Sequence, residues 1–168
     1  AIMAVSGMVA VATQGLGLVG CILCGLGAGL GIGLINGLLI GYLRLNPIIW
    51  TLAMNFMVDG FLRWITGGVQ VYPDYSTPTG ALFVALSRNE IWGMPAMTWL
   101  WLGLCALAAW LVSRTAFGNQ LQLTGAAYDV AATSGVPVQR IILLSFLISA
   151  FTTALAGILL ASLSKQGT

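Results

Sequence analysis

Long stretches without a charged side chain dominate this chain. Residues 1–43, 91–113 and 141–164 contain no Asp, Glu, Lys or Arg. Crossing a hydrocarbon layer about 30 Å thick takes roughly 20 apolar helical residues, and each stretch supplies them. Over the whole chain 6% of residues are charged, against about a quarter in a soluble domain. These features predict an integral membrane protein of the all-α class, a polytopic bundle of transmembrane helices.

Turn-forming residues divide the apolar stretches into predicted spans. Thr13-Gln14-Gly15 separates a short first helix from a long second one, and Asn46-Pro47 begins another because proline fits the first turn of a helix. Residues 1–12 are too short to cross alone, so we expect them to end a span whose beginning is missing. The chain should therefore be a fragment with about four full spans plus a truncated one. The predicted full spans are residues 16–43, 47–65, 97–113 and 141–163.

The charged and polar residues exclude several classes of function. The chain has no histidine, which excludes imidazole bases and His-ligated metals. Its single lysine, Lys165, follows Ser164, so no glycine-rich loop ending in Gly-Lys can hold nucleotide phosphates. A net charge of +2 is too small for nucleic-acid binding. We therefore predict no catalytic, cofactor-binding or metal-binding residue, and any ATP must bind to another chain.

Glycines recur every four residues along the second predicted helix. This spacing removes side chains from one helical stripe and lets a neighbouring backbone come close. We predict tight helix packing through this stripe, with a role in sliding or gating as the alternative. The residues of the stripe are Gly25, Gly29, Gly33, Gly37 and Gly41.

Polar residues within the third predicted helix are candidates for the lining of a pathway. Asp59 and Arg63 stand four residues apart and share a helix face, and Asn55 lies one turn before them. Because charge within a membrane is costly, an opposite charge one turn away helps to retain it. Two interpretations stay open, a structural ion pair at the membrane interface and a pathway lined by Asn55, Asp59 and Arg63.

The basic residues predict the orientation in the membrane. Arg44, Arg114 and Arg140 lie on one side of the predicted spans, which should be cytoplasmic because basic residues favour that side. The connection 114–140 is then cytoplasmic and the loop 67–95 external. Within the loop, residues 80–92 are apolar enough to lie along the membrane surface.

The connection 114–140 has a pattern of its own. Gly125 can end one element, and residues 126–134 are compatible with a helix of about two turns. Gly135 suits a C-terminal cap and Pro137 the first turn of the next helix. We therefore predict a short helix held between two glycines.

The connection resembles that of the permease subunits of bacterial ABC importers for ribose, other monosaccharides and related small polar solutes. The chain matches the pattern of this family at Thr115, Phe117, Gly118, Asn119, Gly125, Ala131, Gly135, Val136 and Val138. Further matches are Leu155-Ala156-Gly157-Ile158, Asn46-Pro47, Thr51-Leu52 and Gly60. The resemblance covers roughly residues 25–160. The chain departs from the family at Ala127, where asparagine is common, and at Asp59, where arginine is usual.

This resemblance implies a non-catalytic translocation subunit of the bacterial inner membrane. The implied partners are two ATP-binding cassette subunits, a second permease subunit that is identical or related, and a periplasmic solute-binding protein. The ATPase subunits would dock on the short helix of the connection. The residues implied in this coupling are Gly125, Tyr128, Asp129, Ala131, Ala132 and Gly135.

Two other classes of function are the alternatives to an importer permease. An ion-coupled secondary transporter or channel without an ATPase should carry a relay of ionisable residues within the membrane, for which Asp59 and Arg63 are the candidates. A membrane enzyme needs paired carboxylates, an activated nucleophile or a metal set, and the four scattered acidic residues provide none of these.

Overall fold

The structure is a computed structural model that describes residues 1–69, 90–91, 94–126 and 128–163. The all-α fold is confirmed. The helices are α1 (Ile2–Ala12), a turn of 3-10 helix (Gln14–Leu16), α2 (Gly17–Gly41), α3 (Pro47–Thr66), α4 (Ala96–Arg114), α5 (Ala116–Ala126), α6 (Tyr128–Thr133) and α7 (Val138–Leu163). Two strands of two residues each, β1 (Glu90–Ile91) and β2 (Met94–Pro95), pair antiparallel. Most of the loop 67–95, with nearly all of its predicted surface segment, lies outside the described residues.

Three of the helices, α2, α3 and α7, are each long and apolar enough to cross a membrane. Helix α4 reaches this standard only together with α5, and the two are bent by 76° relative to each other. Helix α1 is a shorter apolar helix, as predicted for residues 1–12. The polytopic architecture is thus confirmed for the described residues, with three spans or with four if the bent pair is one span.

The turn between α2 and α3 shows why the second long span begins where it does. The side chain of Asn46 accepts a hydrogen bond from the backbone N–H of Ile48 at 3.0 Å, and Pro47 occupies the first turn of the helix. Both features stabilise a helix N-terminus. At the other end Gly67 adopts the left-handed conformation, with φ of +61°, which favours glycine at a helix C-terminus.

The glycine stripe of α2 is the contact surface between α2 and its neighbours. A Cβ atom built on Gly29 would lie 2.6 Å from the Cβ of Ala154, and one on Gly37 would lie 3.2 Å from the Cα of Leu143. At Gly33 the added atom would overlap the side chain of Ala150. The remaining two contacts are those of Gly41 with the carbonyl oxygen of Gln139 and of Gly25 with the carbonyl oxygen of Ser6.

Helix α1 completes a three-helix core with α2 and α7. A Cβ on Gly7 would lie 2.9 Å from the carbonyl oxygen of Gly157. Gly157 in turn faces the carbonyl of Met3 and the hydroxyl of Ser6, which is fully buried. Buried apolar residues where the three helices meet are Ala10, Cys21 and Ile158. Small residues on all three helices therefore bring the backbones close together.

Helix α3 is attached to this core much more loosely. None of its residues is buried against the described part of the chain. One polar bond joins it to α2, in which the indole Nε1–H of Trp50 donates to Oδ1 of Asn36 at 2.9 Å. Asn36 is buried, with 7% of its surface exposed, so the indole satisfies an amide that has little access to solvent.

Candidate functional site

The connection between α4 and α7 begins with a sharp bend centred on Thr115. The hydroxyl of Thr115 donates to the carbonyl of Leu111 at the end of α4 and accepts the backbone N–H of Gly118 at 3.3 Å. Threonine is thus the N-cap of α5, satisfying an N–H that has no partner within the helix. Gly118 is buried, and a Cβ atom there would overlap the carbonyl of Val112. The Thr-x-x-Gly part of the motif therefore permits the 76° bend.

The connection ends with the short helix α6 and its glycine cap. Gly135 has φ of +78°, its N–H donates to the carbonyl of Ala132 at 3.3 Å, and the N–H of Val136 donates to that of Ala131 at 3.1 Å. This pair of bonds is the Schellman motif, which ends helices at a left-handed glycine. Helix α7 begins three residues later at Val138, and the carbonyl of Pro137 accepts the N–H groups of Arg140 and Ile141.

Gly125 lies one residue before the end of α5, and the short helix lies between Gly125 and Gly135. Helix α5 continues through Gly125 to Ala126, and α6 begins at Tyr128. The physical reason is that glycine weakens a helix by about 1 kcal/mol relative to alanine without preventing helical geometry. The hydroxyl of Thr124 also bonds back to the carbonyl of Gln120 at 2.8 Å inside the same helix.

The other residues implied in ATPase coupling lie on or beside α6, on different faces. Ala131 is fully buried, whereas its neighbours Val130 and Ala132 are exposed. Tyr128 is half-buried and Gly135 is exposed, while only the backbone of Asp129 is described. Of the six residues, Gly125, Ala132 and Gly135 therefore lie on a surface that another chain can reach, and Ala131 packs inward.

The turn between α2 and α3 meets this connection. The guanidinium carbon of Arg44 lies 5.7 Å from the centre of the Tyr128 ring, within the range of a cation–π contact. Arg44 and α6 are therefore at the same end of the bundle, as the distribution of basic residues predicted. The sequence does not predict this contact, because two residues 84 positions apart leave no local pattern.

Asp59 and Arg63 form an ion pair at the opposite end of α3. The Nε atom of Arg63 lies 3.0 Å from Oδ2 of Asp59, and the two side chains are 75% and 54% exposed. Both line a cavity of about 500 Å³ between α1, α3 and α7. Asn55 is exposed on the same helix and is not among the residues lining that cavity. The structure therefore brings two of the three candidate pathway residues to one cavity.

Comparison with known proteins identifies relatives of this chain. Residues 1–167 match the family described as "Branched-chain amino acid transport system / permease component". The chain is 32% identical over 133 residues to the L-arabinose transport system permease protein AraH of Escherichia coli (strain K12), an overlap of 79% of this chain and 39% of that protein.

Two further relatives are autoinducer 2 import system permease proteins. LsrC of Escherichia coli (strain SMS-3-5 / SECEC) is 33% identical over 129 residues, which cover 76% of this chain and 36% of that protein. LsrC of Salmonella typhi is 32% identical over 127 residues, covering 76% and 35%. The matches thus span less than two fifths of the length of these relatives. No solved structure matches the chain.

Proposed function

This chain belongs to the family of branched-chain amino acid transport system permease components, and from that membership we propose that it is a membrane-spanning subunit of an ATP-driven importer. It is a multi-pass protein of the bacterial inner membrane, and it forms part of the pathway for a sugar or a similar small polar solute. The names of its relatives, which refer to L-arabinose and to autoinducer 2, support this class of solute.

The observation that carries the proposal is the short helix α6 at one end of a membrane bundle. Its C-terminus is fixed by the Gly135 cap, and the bend at Thr115 fixes the beginning of the connection. A short helix held in this way offers a defined surface to a soluble partner. We assign the docking of an ATPase subunit to the exposed surface of α6, which includes Val130 on one side of the buried Ala131 and Ala132 on the other.

The complete importer would contain two ATP-binding subunits, a second permease subunit and a periplasmic solute-binding protein. ATP would bind to the partner chains, and this chain would itself be non-catalytic. For ATP to drive transport, the closed ATPase pair must favour one arrangement of the spans over another. The solute-binding protein would deliver its ligand at the end of α3 that carries Asp59 and Arg63.

The cavity beside Asp59 and Arg63 is our candidate for part of the pathway. An exposed ion pair contributes little to stability, about 0–1 kcal/mol, so the pair can offer hydrogen bonds to a polar solute without unfolding the helix. Replacing Arg63 by leucine should then lower uptake several-fold while the amount of folded protein is unchanged. Met57→Leu, on the exposed surface of the same helix and outside that cavity, is the control. Equal uptake by both variants would remove the pair from the pathway.

Co-purification of the intact protein in mild detergent tests the proposed function. We expect an ATP-binding subunit to be recovered, as identified by mass spectrometry. Ala132→Glu should release that subunit, because it places a charge on the exposed surface of α6. Gln122→Glu, which adds the same carboxylate to the exposed side of α5, is the control. An oligomer of the permease alone, with uptake driven by an ion gradient, would instead establish the secondary transporter.

A further inference from the structure

Arg44 has a backbone conformation that its residue type does not explain. Its φ is +53°, and among the described residues no other non-glycine residue has a positive φ. The left-handed conformation costs an L-residue with a Cβ more than it costs glycine, which adopts it freely. A turn that required only this backbone geometry would be served better by glycine. The arginine side chain is therefore the feature of this position that requires a reason.

That side chain contacts the first residue of α6. The guanidinium carbon of Arg44 lies 5.7 Å from the centre of the Tyr128 ring, and the ring is half-buried. Guanidinium groups within about 6 Å of a tyrosine ring are attracted by its electron-rich face. The ring of Tyr128 is thus occupied by a side chain of the same protein, whereas the family resemblance implied a contact with the ATPase.

Besides its chain connection through α5 to α4, helix α6 consequently has two connections to the part of the bundle that contains α2, α3 and α7. The first is covalent and runs through residues 134–137 into α7. Helix α7 is in close contact with α2 along the glycine stripe, so a force on this route acts on both helices together. The second runs through Tyr128 and Arg44 to the turn that begins α3. Since α3 has no residue buried against the described chain, this second route reaches a loosely packed span.

We propose that Arg44 is a positioning residue that connects α6 to α3, its guanidinium on the Tyr128 ring carrying a displacement of α6 into the α2–α3 turn. The inference rests on the proposed function, because it requires an ATPase partner that displaces α6. It also assigns Tyr128 to an internal contact, while the exposed Val130 and Ala132, on either side of Ala131, stay accessible to the partner.

The first experiment measures the solute transported per ATP hydrolysed by the complete importer in proteoliposomes. Arg44→Gly removes the side chain and suits the left-handed backbone, so the turn should form normally. We expect Arg44→Gly and Tyr128→Leu each to lower the ratio several-fold while the ATPase subunit stays bound. Arg44→Lys retains the cation and Tyr128→Phe retains the ring. Each should therefore keep at least half of the wild-type ratio of solute transported to ATP hydrolysed. Tyr42→Leu, which removes an exposed ring from the same turn, is the control.

The double variant separates an interaction from two independent effects. If Arg44 acts through Tyr128, combining Arg44→Gly with Tyr128→Leu should lower the ratio no further than either change alone. Multiplied losses would overturn the proposal, as would a normal ratio in Arg44→Gly. Release of the ATPase subunit by Tyr128→Leu, but not by Arg44→Gly, would assign the ring to the partner and also overturn it.

A second measurement does not depend on the ATPase. Hydrogen exchange of the α6 amides in the intact permease should become about two- to fivefold faster in Arg44→Gly, as expected for the loss of one exposed cation–π contact. Unchanged exchange would overturn the contact itself, whatever the transport assay shows. If exchange changes but the wild-type protein never retains an ATPase subunit, the contact stands, while the proposed function and the coupling role both fail.

Discussion

Glycines of α2 that are only two residues apart have opposite surroundings. A Cβ on Gly33 would overlap the side chain of Ala150, whereas one on Gly31 would meet nothing within 4 Å among the described residues. The same substitution should therefore have opposite effects at the two positions.

For Gly33→Ala we expect a loss of about 1–3 kcal/mol, the usual cost of overpacking a close contact. Gly31→Ala should be neutral or stabilising by up to about 1 kcal/mol, because alanine is the better helix former. Thermal unfolding of the intact protein in detergent, followed by tryptophan fluorescence, compares the two. Equal unfolding temperatures would contradict the packing described for α2 and α7.

A second pair of glycines tests the bend between α4 and α5. Gly118→Ala should straighten or destabilise the bend, since the added methyl group overlaps the carbonyl of Val112. Gly125→Ala lies in the same helix with nothing within 4 Å, so it should fold normally. The distance between spin labels on α4 and α5 would report the bend. An unchanged distance in Gly118→Ala would show that the helices adapt without the glycine.

These glycines show what the sequence can and cannot predict about the surroundings of a single residue. The four-residue spacing was enough to place Gly25 to Gly41 on one face of a helix. Gly118 and Gly157 had no such spacing, and the need for glycine there arises from backbone carbonyls of other segments. The partner segments become known only when the bend and the helix pairing are known.

At the scale of elements, helix α6 depends on its C-terminal cap. Gly135→Ala places a Cβ in the left-handed conformation, which costs about 1–2 kcal/mol, and should speed hydrogen exchange of the α6 amides about fivefold or more. Gly135→Asn should have a smaller effect, because asparagine tolerates this conformation. If alanine and asparagine behaved alike, the cap would not be what stabilises α6.

Helix ends were predictable where the end has a local chemical cause. Asn46-Pro47 begins α3 and Gly135 ends the short helix, because caps act over one turn. Gly125 lies inside α5, one residue before its end, because glycine is permitted in helices as well as at their ends. The Thr115 cap is equally local. That it marks a sharp bend, however, becomes known only with the angle between α4 and α5.

At the scale of the whole molecule, the proposed orientation can be tested by labelling single cysteines. Cys21, Cys24 and Cys105 are free and can be replaced by alanine. Val69→Cys, beyond the end of α3, should then react with a membrane-impermeant maleimide added to spheroplasts. Ser134→Cys, beside α6, should react only after the membrane is permeabilised. The reverse pattern would place α6 and Arg44 outside the cell.

The loose attachment of α3 also has a geometric consequence. Trp50 holds the helix to α2 near its first turns, while Asp59 and Arg63 border a cavity of about 500 Å³. At 1.5 Å per residue, Arg63 lies roughly 20 Å along the helix from Trp50. A tilt of about 10° around Trp50 would move the far end by about 3 Å, roughly the diameter of a water molecule. Such a pivot would change the shape of the cavity and leave every glycine contact between α2 and α7 in place.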